Sequence, residues 1–206
     1  MKTNISFAIT ACNEHIELKR LLEQIKSIKR EEDEIILQLD IKYTPQVEEI
    51  AKPYNPIITA LKNDFANFKN ILKQHCKKNN FIIFLDADEI LSDELASSIH
   101  FLIEMNPEVD CWAFPRVNTV EGIENRPDLV KLWGWNLNED NWINYPDYQL
   151  RGCLNKPEIS WVGKVHERLS GFHNLQYLPS MKEWSILHDK KLDKQIKQNE
   201  LYSSIN

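Results

Sequence analysis

Apolar positions in the first hundred residues switch between two periods. Residues 5–11, ISFAITA, place Ile5, Phe7 and Ile9 at alternate positions and stop at Asn13 and Glu14, which suit a helix N-terminus. Ile16, Leu18, Leu21, Leu22, Ile25 and Ile28 follow, and from Leu18 onward their spacing is helical. EIILQLD at 34–40 reads as a second strand ending in Asp40, and Pro45 leads into a short helical stretch carrying Val47, Ile50 and Ala51. PIITAL at 56–61 is a third strand, before a helix whose inner face holds Phe65, Phe68, Ile71, Leu72 and Cys76. FIIFLDADE then supplies a wholly apolar strand that breaks off at three acids. Ser92, followed by Asp93 and Glu94, is a helix cap with acids in the first turn, and Leu95, Ile99, Leu102 and Ile103 form that helix's buried face.

Short apolar strands separated by amphipathic helices predict an α/β fold with a mostly parallel sheet covered on both faces. Past Pro107 the periodicity dissolves into aromatic residues, prolines and isolated polar groups, Trp112, Trp133, Trp135, Trp142 and Trp161 among them. Order returns from Leu187 to Tyr202, which reads as a strand end followed by a charged helix. A length of 206 residues fits one domain. Residues 1–105 would form one half and 106–206 an irregular second half.

Composition narrows the function. With 42% hydrophobic residues the chain can build a core, and a formal charge of −6 repels a nucleic acid in the absence of a basic run. Cys12, Cys76, Cys111 and Cys153 are widely separated with no CxxC pair, which fits reduced thiols and a cytoplasmic setting. The longest apolar run, FIIFL at 81–85, is too short to span a bilayer, although peripheral attachment to a membrane stays open.

Ligands of open α/β sheets sit beyond the carboxyl ends of the strands. Four predicted ends finish in polar groups: Asn13 with Glu14, Asp40, Asn63 with Asp64, and Asp86-Ala87-Asp88-Glu89. In extended backbone Asp86 and Asp88 project side by side while Ala87 turns inward. A divalent cation carrying substrate phosphates would relieve the repulsion between the two acids. A polar loop preceding the helix at Ser92 is the plainer reading of the same residues.

The ordered segments ISFAITACNEHIELKRLLEQI, an Asp after strand two, DFANFKN and FIIFLDADE resemble nucleotide-diphospho-sugar transferases of the GT-A fold, glycosyltransferase family 2. YPDYQLR, WVGKVHERL and ILHDK are similar to the branch that includes lipopolysaccharide-core transferases. The resemblance implies a metal-dependent, inverting transfer from a nucleotide-diphosphate sugar, UDP-linked by the fit of Asp40 to uracil, to a glycan, lipid-linked or other hydroxyl acceptor. It assigns Asp86, Asp88 and His188 to Mn2+ or Mg2+. Ala11, Asn13, Glu14, Asp40, Lys69, Asn70, Asp86 and Ala87 fall to the nucleotide sugar. Glu167 inherits the catalytic base, with Asp147 as rival, and Arg116, Trp133, Trp135, Trp161 and His166 line the acceptor side. A phosphotransferase, a sugar nucleotidyltransferase and a non-catalytic carbohydrate-binding module are the competing classes. The first expects its Asp after an early strand, the second a Gly-rich basic loop, and the third has no use for acids at separate strand ends.

Overall fold

The computed structural model describes residues 3–164 and 166–205. The first half follows the apolar periodicity: β1 (Ile5–Ala11), α1 (His15–Ile28), β2 (Glu34–Asp40), α2 (Pro45–Ala51), β3 (Ile57–Thr59), α3 (Phe65–His75), β4 (Phe81–Asp86), β5 (Glu89–Leu91) and α4 (Asp93–Met105). Two helix starts carry the side-chain caps their sequences supply. Asp64 accepts from the Asn67 amide at 2.9 Å and Ser92 from the Leu95 amide at 3.3 Å.

The second half adds β6 (Cys111–Phe114), β7 (Arg116–Glu121), α5 (Pro127–Leu132), β8 (Gln149–Leu154), β9 (Ser160–Val162), β10 (Arg168–Ser170), β11 (Leu175–Tyr177), β12 (Ile186–Lys191) and α6 (Leu192–Ile205). The central sheet runs β11-β6-β8-β4-β1-β2-β3. Every pairing in it is parallel except those of β8, which lies antiparallel between β4 and β6. A small sheet, β5-β12-β7, and the β9-β10 pair complete the strands.

β4 is buried on both faces, which is why its sequence shows no polar alternation. Phe81, Ile83 and Leu85 join the core formed with α1, α2 and α4, while Ile82 and Phe84 join a second core with α3, Trp161 and Leu169. Burying a side chain such as Leu18, Leu21 or Ile25 of α1 contributes about 1.5–3 kcal/mol each. Two cores sharing one strand hold the β4 tip rigidly. The segment predicted as a strand over 56–61 pairs with β2 only through Ile57–Thr59, because Lys62 and Asn63 adopt positive φ and turn the chain away.

Candidate active site at the carboxyl ends of the central strands

Asp86 closes β4 opposite Thr10 of β1, and that register lets the Thr10 hydroxyl donate to Asp86 Oδ1 at 2.7 Å. Gly152 of β8 pairs with Ile83, which brings the neighbouring Arg151 level with the strand end, where its Nη2 donates to Asp86 Oδ2 at 2.7 Å. Lys69, from α3, places its Nζ 3.8 Å from Asp86 Oδ1 and donates to Glu167 Oε1 at 2.7 Å. The same ammonium lies 4.8 Å over the Trp161 ring. Burial pushes the Asp86 carboxyl up, but Arg151 and Lys69, with the Thr10 bond, outweigh it and hold it well below the usual carboxylate range.

Asp88 sits in the turn between β4 and β5, not in extended backbone, so alternation along a strand does not govern its direction. Its hydrogen-bond partners accordingly differ from those of Asp86. Asp88 Oδ2 is 3.5 Å from His188 Nε2 and 3.3 Å from Lys194 Nζ of α6. Burial acts to raise the Asp88 carboxyl, and His188 and the lysines 190 and 194 reverse this and lower it. The His188 ring is oriented from behind. Asn118 donates to Asp147 Oδ2 at 2.7 Å, which turns its own carbonyl oxygen to His188 Nδ1 at 2.8 Å. Nδ1 therefore carries hydrogen, and Nε2 is the ring nitrogen that faces Asp88.

These donors suit a divalent ion in chemistry and spacing. Adjacent ligands on a six-coordinate ion with bonds near 2.1 Å lie about 3 Å apart, close to the Asp88–His188 separation. Asp86, already held by Arg151 and Thr10, does not complete a set with them. Among the described residues no group of three His, Cys, Asp or Glu side chains is disposed to hold a metal. In this structure Lys194 and Lys190 supply positive charge beside Asp88.

The other expected residues separate into those facing the site and those holding it. Glu14 accepts from the backbone amides of Cys12 and Asn13 at 2.9 and 3.0 Å, so it closes the loop after β1, and its other oxygen lies 3.6 Å from Lys194. Ala11, the last residue of β1, is buried, and Asn13 is exposed in that loop. Asp40 accepts from the Lys42 amide at 3.0 Å in a turn. Ala87 is buried, and its amide donates to the Thr10 carbonyl at 2.9 Å. Asn70 donates to the Trp161 carbonyl at 2.9 Å and accepts from the Trp161 amide at 2.8 Å, so both ends of its side chain are spent on β9.

Trp161 is a core residue, packed edge-on against Phe84 at 5.1 Å, and not an open pocket wall. Trp133 and Trp135 meet at 4.6 Å and pack against a small cluster of Val120, Ile123 and Ile143. His166 is exposed, with φ of 56°. Arg116 and Asp147 form a pair at 2.8 Å. Five members escaped the sequence reading: Thr10, Glu89, Asn118, Arg151 and Lys194. Glu89 and Arg151 stood inside motifs already singled out, DADE and YPDYQLR, while nothing in the local pattern marks Thr10 or Asn118.

A mostly parallel sheet with one inserted antiparallel strand, and acids gathered at its carboxyl ends, define the GT-A class of architecture. The family model described as "Glycosyl transferase family 2" matches residues 6–160, and the chain belongs to that family. Glu167, His188 and Lys194 lie beyond the matched span. No curated protein matches the sequence. Among solved structures, S. aureus TarS 1-349 aligns over 95% of this chain and 63% of its own, with 11% identity and a TM-score of 0.53. S. aureus TarS 1-349 in complex with UDP-GlcNAc covers 58% of this chain and 35% of its own, at 16% identity and TM-score 0.42. Glucosyl-3-phosphoglycerate synthase from Mycobacterium tuberculosis in complex with Mn2+, UDP-Glc and phosphoglyceric acid covers 63% and 50%, at 16% identity and TM-score 0.41. The chain thus spans less than two thirds of these structures' lengths.

Proposed function

We propose that the protein transfers a sugar from a nucleoside-diphosphate sugar, UDP-linked, to a hydroxyl acceptor with inversion at the anomeric carbon. The observation that carries this reading is the Lys69 ammonium, enclosed between Glu167, Asp86 and the Trp161 ring at the carboxyl ends of the strands. A buried cation beside a carboxylate pairs a group able to stabilise a leaving diphosphate with a group able to take a proton. Family membership supports the same activity.

In the reaction the acceptor oxygen forms its bond to the anomeric carbon as the bond from that carbon to the diphosphate oxygen breaks, and the electron pair departs with the diphosphate. The acceptor's proton passes to Glu167, whose Oε1 accepts from Lys69 at 2.7 Å. Lys69 neutralises charge growing on the diphosphate. Trp161, clamped by Asn70, holds Lys69 from below. Asp147 is the weaker candidate base, because Arg116, Asn118 and Gln149 already donate to its carboxylate. Asp88 and His188 would hold a divalent cation, Mn2+ or Mg2+, whose chemistry is to neutralise the donor's phosphates. Residues 1–105 would bind the donor and 106–206 the acceptor, a glycan or lipid-linked hydroxyl of the lipopolysaccharide-core type by the likeness of YPDYQLR and WVGKVHERL. Arg116, Trp133, Trp135 and His166 belong to that acceptor side. A cytoplasmic location, with peripheral contact to a membrane, fits such an acceptor. Among the described residues no helix is long and apolar enough to cross a bilayer.

The test is Glu167→Gln. It should leave UDP-sugar affinity within about threefold and reduce transfer by a factor of roughly 100 or more, in the range of a lost general base. If Asp147→Asn abolishes transfer and Glu167→Gln does not, the base is misassigned.

A further inference from the structure

A continuous series of side-chain contacts leaves Asp86 and returns to Asp88. Arg151 Nη2 donates both to Asp86 Oδ2 at 2.7 Å and to Glu89 Oε1 at 2.6 Å. Glu89 Oε1 also accepts from Arg116 Nη1 at 3.0 Å, and Arg116 Nη2 donates to Asp147 Oδ2 at 2.8 Å. Asp147 accepts from Asn118 at 2.7 Å, Asn118 meets His188 Nδ1 at 2.8 Å, and His188 Nε2 faces Asp88 at 3.5 Å. The members come from β4, β5, β7, β8, β12 and the loop at 147, so no single element fixes the arrangement.

Glu89 is the junction. Its side chain is wholly enclosed, its Oε1 receives both guanidiniums, and its Oε2 accepts from the Asp86 amide at 3.0 Å. A carboxylate with no solvent contact is costly to bury, and apolar packing of similar volume commonly gives as much stability as such an ion pair. What the charge adds is geometry. Two guanidiniums on one carboxylate oxygen have a fixed separation, and each reaches onward to a different acid. We infer that Glu89 is a positioning residue, which through Arg151 sets Asp86 and through Arg116, Asp147 and Asn118 sets the ring orientation and tautomer of His188 opposite Asp88. This inference rests on the reading of Asp86, Asp88 and His188 as part of the donor site.

The experiment uses the full chain and two variants at different depths, Glu89→Gln in the interior and Arg116→Met at the half-buried link beyond it. Nitrogen-15 NMR of the histidine rings at pH 8.5, without metal or nucleotide, reads the His188 tautomer directly. Calorimetry reads how much Mn2+ strengthens UDP binding. The wild-type ring should be protonated at Nδ1, and each variant should shift it to a mixture of tautomers. Each should also reduce the strengthening by Mn2+ about tenfold to a hundredfold, as loss of outer-shell partners does. Arg116→Lys should not rescue, since one ammonium cannot bridge Glu89 and Asp147. If both variants only lower the melting temperature and leave tautomer and metal dependence unchanged, Glu89 is structural and the inference fails. If Glu89→Gln does not fold, Arg116→Met alone decides by the same two signals. Should wild-type protein bind no UDP, the donor-site reading falls, and the NMR outcome still decides whether Glu89 sets His188.

Discussion

Asn70 offers a sharp test, because its position beside Lys69 suggests a ligand to the diphosphate and its contacts suggest a clamp. Asn70→Ala deletes one bond given to the Trp161 carbonyl at 2.9 Å and one received from the Trp161 amide at 2.8 Å. Trp161 is buried, so both main-chain groups lose a partner where water enters poorly. An unsatisfied buried polar group costs about 1–3 kcal/mol. Asn70 itself is only half-buried, so some water reaches the gap and a total of about 2–4 kcal/mol follows. For a chain of 206 residues, at roughly 2–4 °C per kcal/mol, the melting temperature should drop by about 4–16 °C. Thermal unfolding followed by circular dichroism gives this number. Calorimetry with UDP and Mn2+, well below the transition, gives the other half: affinity should stay within about threefold of wild type, the change set by how far the Trp161 ring drifts from Lys69. An unchanged melting temperature with a tenfold loss of UDP affinity would refute the clamp and restore Asn70 to the ligand set.

Other outcomes follow from the core and its buried charges. A Cβ on Gly152 would meet Phe81 Cε1 at 2.8 Å and Phe114 Cε2 at 3.0 Å, both rings fully buried. Gly152→Ala should destabilise by about 1–3 kcal/mol in a denaturant titration, and an unchanged midpoint would mean the β8 seat is loose. Asp33 accepts from the Ile5 and Arg30 amides and from His100. Burial would raise its carboxyl, but His100 and the two amides outweigh this and lower it. A depressed folded value contributes stability above the unfolded carboxyl range, about pH 4, and loses it as the pH falls further. Asp33→Asn should therefore lower stability at pH 7 and flatten its decline below about pH 4; equal acid slopes for the two proteins would count against it.

The first half of the fold was legible because each strand is a short apolar run with a polar stop, and each helix shows its own buried stripe. β4 and α4 agree with their predicted extents to within a residue or two, since Ser92 carries the cap and FIIFL packs on both faces. β8 was not legible. QLRGCL mixes polar and apolar positions because Arg151 reaches Asp86 and Glu89 while Cys153 lies in the core. Insertion of that strand between β4 and β6 brings Arg151 to Glu89 across 62 residues, a pairing no local pattern encodes.

The site shows the same division. Of the residues singled out, Lys69 meets Asp86 and Glu167, while Asp88, which occupies a turn, faces His188 instead. Glu89 looked like the tail of an acidic loop, and only its burial reveals a junction of two arginines.

The claim beneath the functional reading is that Lys69, Asp86 and Asp88 form a seat for a nucleoside diphosphate. Isothermal titration of UDP into wild-type protein and Asp88→Ala, each with Mn2+ and with chelator, tests it most directly. Wild-type protein should bind UDP saturably with Mn2+ and lose at least tenfold in chelator, and Asp88→Ala should show the same loss. Equal affinity in all four titrations, or none in any, would contradict it.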